Sequence, residues 1–251
     1  MKPSEPQAIL GCFPKHREPL PPAYEAIYER HYLVNRGGKS KTTRLSQGME
    51  GWLHRKVADD LPRLDAPVST LEVGAGTLNQ LDYEPVKGDY DIVEPFAKLF
   101  ENSPNLSRVR SIYSDIREVP DVRYDRITSV AVFEHVMDLP RLVAECGVRL
   151  SDRGTLRCSI PNEGTVLWWL GTRFTGWEFK KLYGLDYDRL MQFEHVNTAD
   201  EIEGVLGWAF ERLKHSVCGV SRKLAFYRFY ECSVPRRDVL AKFLEEQPPS
   251  A

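Results

Sequence analysis

The spacing of apolar positions changes period at Ala66-Pro67. Before that point, AYEAIYERHYLVN sets Tyr24, Ile27, Tyr28 and His31 three or four apart, which predicts one face of a helix from Ala23 to about Asn35, closed by Gly37-Gly38. RLSQGMEGWLHRKVADDL predicts a second helix running to Pro62. After Ala66-Pro67, short β-rich runs alternate with helical stretches, with strands expected at 68–73, 90–94, 108–114, 124–132 and 154–160. Helices are expected between them, notably over PFAKLFENS and DLPRLVAECGVRLS. This alternation predicts an α/β fold with a doubly wound, mostly parallel sheet. ERLKHSVCGV and KLAFYRFYECSV, joined at Ser221-Arg222, read as a C-terminal antiparallel hairpin, and the alternation of Phe226, Arg228, Tyr230 and Cys232 fits a half-buried strand. Thr198-Ala199-Asp200-Glu201 is a capping box opening the helix TADEIEGVLGWAF, and PRRDVLAKFLEEQPPSA predicts a terminal helix that frays.

The expected organisation is a Pro-rich extended arm over 1–22, an N-terminal helical cap over 23–65, and a main domain over 66–251 with a lid-like insertion at about 164–195. Six prolines in the first 22 residues disfavour helix there, leaving either a loose tail or an arm that packs. The insertion is longer than a simple connection and dense in Trp, Tyr, Phe, Arg and Lys, and long inserted connections near an active site usually act as lids or substrate-binding elements. Its Trp168, Trp169 and Trp177 also suit a satellite core, and its Arg173, Lys180 and Lys181 either a solvated basic face or contacts to a carboxylate or phosphate.

Composition narrows the partners. With 42% hydrophobic and 28% charged residues the chain can bury a sizeable core. A net charge of -2 gives no global reason to expect nucleic acid or an anionic membrane. Five dispersed cysteines without a C-x-x-C pair argue against a disulfide scaffold or a zinc site and fit reduced thiols. With no signal-like apolar segment and no membrane-length run, the expected location is cytoplasmic. GGKS at 37–40 fails as a phosphate loop, because Leu33 stands where its first glycine belongs and a helix stands where its strand belongs.

In a doubly wound sheet, ligands bind beyond the carboxyl ends of the strands. After the first strand comes Glu72-Val73-Gly74-Ala75-Gly76, whose glycines permit a tight turn and close backbone approach. Glu94, followed by Pro95, stands at the second tip, where a carboxylate can accept both ribose hydroxyls or cap a helix. Asp115-Ile116 at the third tip suits an adenine amino group and ring face, or again a cap. The fourth tip carries Phe133-Glu134-His135-Val136, a tetrapeptide that recurs as Phe193-Glu194-His195-Val196 with no shared flanking period.

Taken in order, Glu72/Gly74/Gly76, Glu94, Asp115, YDRITSVAVFEHV and RLSDRGTLRCSIPN over residues 66–163 resemble the class I S-adenosylmethionine-dependent methyltransferases of small-molecule type. The resemblance implies a Rossmann-like seven-stranded sheet with S-adenosylmethionine as cofactor. It assigns Glu72, Gly74, Ala75 and Gly76 to the methionine moiety, Glu94 with Pro95 beside it to the ribose, Asp115 and Ile116 to the adenine, and Phe133 and Glu134 to the crevice. Leu78 departs from the family's fuller glycine pattern, which places a third glycine there.

The implied reaction is in-line displacement at the sulfonium methyl, with His135 the first candidate base and His195 the second. Both have structural alternatives, His135 packing alone and His195 tying its loop to the start of the following helix. No metal is expected, since the spacing of Asp115, Glu134 and Asp138 does not form a ligand set. The expected substrate is a small polar metabolite methylated on oxygen, such as a sugar or polysaccharide precursor. A quinone, lipid or protein acceptor and a non-catalytic scaffold are the alternatives, and Asn79 with Glu72 counts against a nicotinamide enzyme.

Overall fold

The computed structural model describes residues 5–25, 27, 44–64, 66–85 and 88–247. The phosphate-loop-like GGKS, Tyr28, Tyr32 and most of the expected 23–35 helix lie outside the described residues. Seven strands form one sheet in the order β3-β2-β1-β4-β5-β7-β6: β1 (Thr70–Val73), β2 (Tyr90–Val93), β3 (Ser111–Tyr113), β4 (Tyr124–Val130), β5 (Leu150–Pro161), β6 (Phe210–Ser221) and β7 (Leu224–Pro235). β1 to β5 run parallel, and β7 is antiparallel to both β5 and β6. The order reverses between β1 and β4, so the crevice expected of such a sheet opens at their carboxyl ends.

The described helices are α1 (Glu5–Leu10), α2 (Arg44–Ala58), α3 (Leu139–Arg149), α4 (Val166–Tyr183), α5 (Tyr187–Glu194), α6 (Ala199–Ala209) and α7 (Arg237–Glu246). One face of the sheet buries Leu71, Ile127, Leu156 and Cys158 against Val143, Ile202, Leu206 and Leu240 of α3, α6 and α7. Helix α7 is seated by Leu240, whose side chain fills the space beside Gly147. No described helix is long and apolar enough to cross a membrane.

The other face is held by charge. Side chains alternate along a strand, so Arg126 and Arg157 point away from the Ile127 and Leu156 core. Both guanidiniums are buried and meet the end of α2. Arg126 donates to Asp60, Glu84 and the carbonyl of Val57, and Arg157 donates to the carbonyls of Val57 (2.8 Å) and Lys56 (2.9 Å), to Asp59 and to Glu231. The last carbonyls of a helix lack intrahelical donors and carry its negative end, so a cation suits them.

Three expectations are corrected. PFAKLFENS forms only a 3-10 turn, Ala97–Leu99, rather than a helix. The segment is short, and Pro104 disfavours helical backbone at Ser103, so too few residues remain to offset nucleation. The 1–22 arm is not extended throughout: α1 forms with Pro6 in its first turn, where a missing N–H costs nothing, and Ile9 packs on Gly204 of α6. The arm therefore packs. The third is the proposed satellite core of tryptophans: Trp169 and Trp177 are 51% and 64% exposed, and the small cluster beside the lid is Leu20, Tyr24, Phe179 and Leu190.

Breaking a buried ion pair by removing one partner strands the other charge. Arg126→Leu is expected to cost about 3–5 kcal/mol in urea unfolding, and adding Glu84→Met to recover part of that loss.

Candidate functional site

The turn after β1 is shaped by left-handed backbone. Gly74 and Gly76 have φ of 73° and 52°. A Cβ on Gly74 would lie 2.4 Å from Val132 Cγ2, so glycine is required for the β1 turn to approach the exit of β4. Leu78 also has positive φ, 65°, at the position where the resemblance placed a third glycine. It is fully buried with Ala75, Leu81 and Ile92, so packing holds a conformation that costs a leucine roughly 1–2 kcal/mol.

The two acids flanking this turn differ in depth. Glu94 accepts from the backbone N–H of Gly76 (2.9 Å) and of Phe96 (3.0 Å), which fixes its carboxylate at the tip of β2 beside exposed Pro95. Glu72 is buried and accepts from Tyr90 Oη at 2.8 Å. Burial pushes its carboxyl up to about 8, with Glu84 and Glu94 adding to the rise and the Tyr90 bond opposing it. At the third tip, Asp115 caps the turn Ile116–Glu118 and its carboxylate is held by Arg117, through the backbone N–H and the guanidinium. Arg117 keeps it below the usual carboxylate range. Ile116 is buried in the main core. Asp115 is thus engaged as a cap and ion pair, with no direct tie to the glycine turn.

The two FEHV copies meet. The carbonyl of Glu134 accepts from the N–H groups of Val196 (2.8 Å) and Asn197 (3.1 Å). Asn197 Nδ2 donates to the carbonyls of Phe133 and Val136. Asn197 ties the loop after β4 to the segment before α6, and His195 bonds to Glu163, whose carbonyl accepts from the N–H of Ala199 at the start of α6, while the His195 ring faces His135, centroids 4.9 Å apart and nearly perpendicular. His135 Nδ1 lies 2.8 Å from the carbonyl of Glu194. His195 Nδ1 lies against the Glu163 carboxylate, just beyond β5, and Trp168 stacks on its ring. Burial alone would lower the His195 imidazole, but Glu163, with Glu134 and Glu194 nearby, holds it above its ordinary value. Phe133 is buried in the core, and Glu134 is buried beside His135.

Folding brings together donors that spacing along the chain does not. Where Asp115, Glu134 and Asp138 formed no ligand set, Glu134, His135 and His195 each present a ligand atom within 4.8 Å of the others. Asp138 instead caps α3. The sequence reading also passed over Glu163, Asn197 and Arg17, and gave Trp168 a place only in the lid or a satellite core. The Arg17 guanidinium donates to the carbonyl of His135 (3.1 Å) and stacks on Phe193, bringing the arm to this corner. On the lid, Arg173 and Lys180 border a cavity of about 240 Å³, but Asp186 and Asp188 line it too.

The chain matches no protein-family model and no curated protein. Solved structures do share its architecture. The plantazolicin methyltransferase BpumL, in complex with a triazolic desmethylPZN analog and SAH, is 14% identical over 84% of this chain and 93% of its own, with a TM-score of 0.57. A SAM-dependent methyltransferase of Thermotoga maritima, described as a possible histamine N-methyltransferase, is 15% identical over 82% and 96%, at 0.51. The CurJ carbon methyltransferase is 18% identical at 0.52, covering 72% of this chain, which spans about half (53%) of that one. The chain has the class I SAM-dependent methyltransferase fold, with its seven-stranded sheet and antiparallel β5-β7-β6 edge.

Glu72 makes a pH prediction. Its folded value, about 8, exceeds its ordinary 4.5, so the native state holds a proton that the unfolded chain releases between them. Its contribution is complete below pH 4.5 and lost as pH rises to about 8. In chemical denaturation, Glu72→Gln is expected to flatten the stability profile across that window and to be the more stable form at its upper end.

Proposed function

We propose that this protein is an S-adenosylmethionine-dependent methyltransferase that methylates an oxygen of a small polar metabolite, such as a sugar or polysaccharide precursor. The observation that carries the reading is the juxtaposition at the β1/β4 switch point: a glycine turn braced by Glu94 lies against Val132, three residues before His135 and its partner His195. Relatives in fold bind SAH, which supports the same cofactor here. Glu72 and the turn Gly74, Ala75 and Gly76 would hold the methionine end, Glu94 and Pro95 the ribose side, Asp115 and Ile116 the adenine side, and Phe133 and Glu134 the floor of the crevice.

The acceptor oxygen attacks the sulfonium methyl, a C–O bond forms as the C–S bond breaks, and the sulfur keeps the electron pair as S-adenosylhomocysteine leaves. The protein's own work is orientation, which contributes roughly 7–11 kcal/mol in well-aligned sites, and removal of the hydroxyl proton. His135 is the first candidate for that proton. A carbonyl only accepts, so Nδ1 facing the Glu194 carbonyl carries a hydrogen, and in the neutral ring the lone pair then sits on Nε2. His195, raised by Glu163, is the second. Trp168 Nε1 is buried without a partner among the described residues, which suits a donor for the acceptor.

A quinone or lipid acceptor is the second reading, favoured by Trp169, Leu170, Trp177 and Leu182 exposed on α4. Neighbours in fold include a carbon methyltransferase and a plantazolicin methyltransferase, so acceptor panels should span these classes.

Two measurements test the proposal. S-adenosylmethionine and S-adenosylhomocysteine at a hundred times Kd are each expected to add about 2.7 kcal/mol and to raise the unfolding midpoint by roughly 5–10 °C, with NAD inert. No rise with either sulfur ligand would remove the cofactor assignment. His135→Ala is expected to lower turnover on the acceptor at least about 10²-fold with little change in cofactor affinity, and unchanged turnover would take His135 out of the mechanism.

A further inference from the structure

We propose that Glu134, His135 and His195 bind a divalent first-row transition cation at the acceptor side of the crevice. Two imidazoles and one carboxylate within 4.8 Å of one another form a donor set suited to zinc, cobalt or iron(II) rather than to magnesium or calcium, which prefer oxygen ligands. Three protein ligands also leave coordination positions open.

The surroundings are arranged as a metal site's supporting shell is. Each ring has its Nδ1 engaged by an acceptor, His135 by the Glu194 carbonyl and His195 by the Glu163 carboxylate. Each is thereby turned to offer Nε2, and a carboxylate behind a ligating histidine raises its basicity and fixes its tautomer. His135 Nε2 already lies 3.7 Å from Glu134 Oε1. The loops carrying the donors are tied through the Glu134 carbonyl and Asn197, so the ligands are positioned before any ion arrives. Glu134, Glu163 and Glu194 supply negative field around the His195 ring.

The cation's use, though not its binding, rests on the methyltransferase reading. A hydroxyl on an open coordination position loses its proton to solvent more readily than a free one. The resulting alkoxide attacks the methyl as described above, with no change of oxidation state. With the ion bound the imidazoles act as ligands, the ion lowers the hydroxyl's pKa and solvent takes the proton, which replaces the base role assigned to His135 above.

The test uses the full, tag-free chain stripped with a chelator and titrated with Co²⁺, followed by d–d absorption, and with Zn²⁺ in competition. A single ion per chain with imidazole-type bands is expected, lost in His135→Asn and His195→Asn. Glu163→Gln, which keeps all three ligands, should weaken binding roughly 10–100-fold, and His215→Asn, at an exposed histidine, should leave it unchanged. Absence of stoichiometric binding, or binding that survives both ligand variants, overturns the proposal. Should those variants fail to fold by circular dichroism, unchanged affinity in Glu163→Gln overturns it instead. The S-adenosylhomocysteine thermal shift, run without metal, reads the methyltransferase assignment separately, so either can fail alone.

Discussion

The corner where the two FEHV copies meet depends on one carbonyl oxygen, that of Glu134. By accepting from both Val196 and Asn197 it fixes the segment before α6 to the exit of β4, and Asn197 closes the same joint from the other side. Neither tie involves an imidazole. Backbone and amide groups therefore carry much of the geometry, beside the bonds of His135 to the Glu194 carbonyl and of His195 to the Glu163 carboxylate. Buried polar groups must find partners, and here that requirement joins residues 61 to 64 positions apart into one corner.

The two halves of the crevice are built from different materials. The half beside β1 and β2 is made by backbone: positive φ at Gly74, Gly76 and Leu78, and a Glu94 carboxylate held by main-chain N–H groups. The other half is made by side chains drawn from β4, β5, the lid and the arm. A backbone-built turn tolerates change in most side chains provided φ is kept, as the leucine at position 78 illustrates. A corner of side chains is specific to its residues.

This division also explains how far the sequence could be read. Strand periodicity located all seven strands to within a few residues, because apolar runs in a buried parallel sheet and alternation in an edge hairpin are local signals. The glycine turn and the Thr198 capping box were legible for the same reason. Seating of α2 was not: an arginine within a strand reads as a surface residue, and only the fold reveals that Arg126 and Arg157 are buried against a helix end. Glu163, Asn197 and Arg17 carried no signal because each acts on residues 32 to 177 positions away. The apolar face of PFAKLFENS gave a false helix, since Pro104 outweighs it. The meeting of the FEHV copies was open from sequence and became definite only in three dimensions.

The span of these contacts has a consequence for the order in which the crevice assembles. Gly76 and Glu94 are 18 residues apart, whereas His135 pairs with Glu194 across 59 and with Arg17 across 118. Closing longer loops costs more chain entropy, and segments held by few long-range ties open before the sheet does. The glycine turn can therefore exist in a chain whose lid and arm are detached, while the reverse state would keep the costly closures without the sheet they rest on. Sub-global opening should proceed from the FEHV corner inward, parting the lid and arm while the strands stay intact.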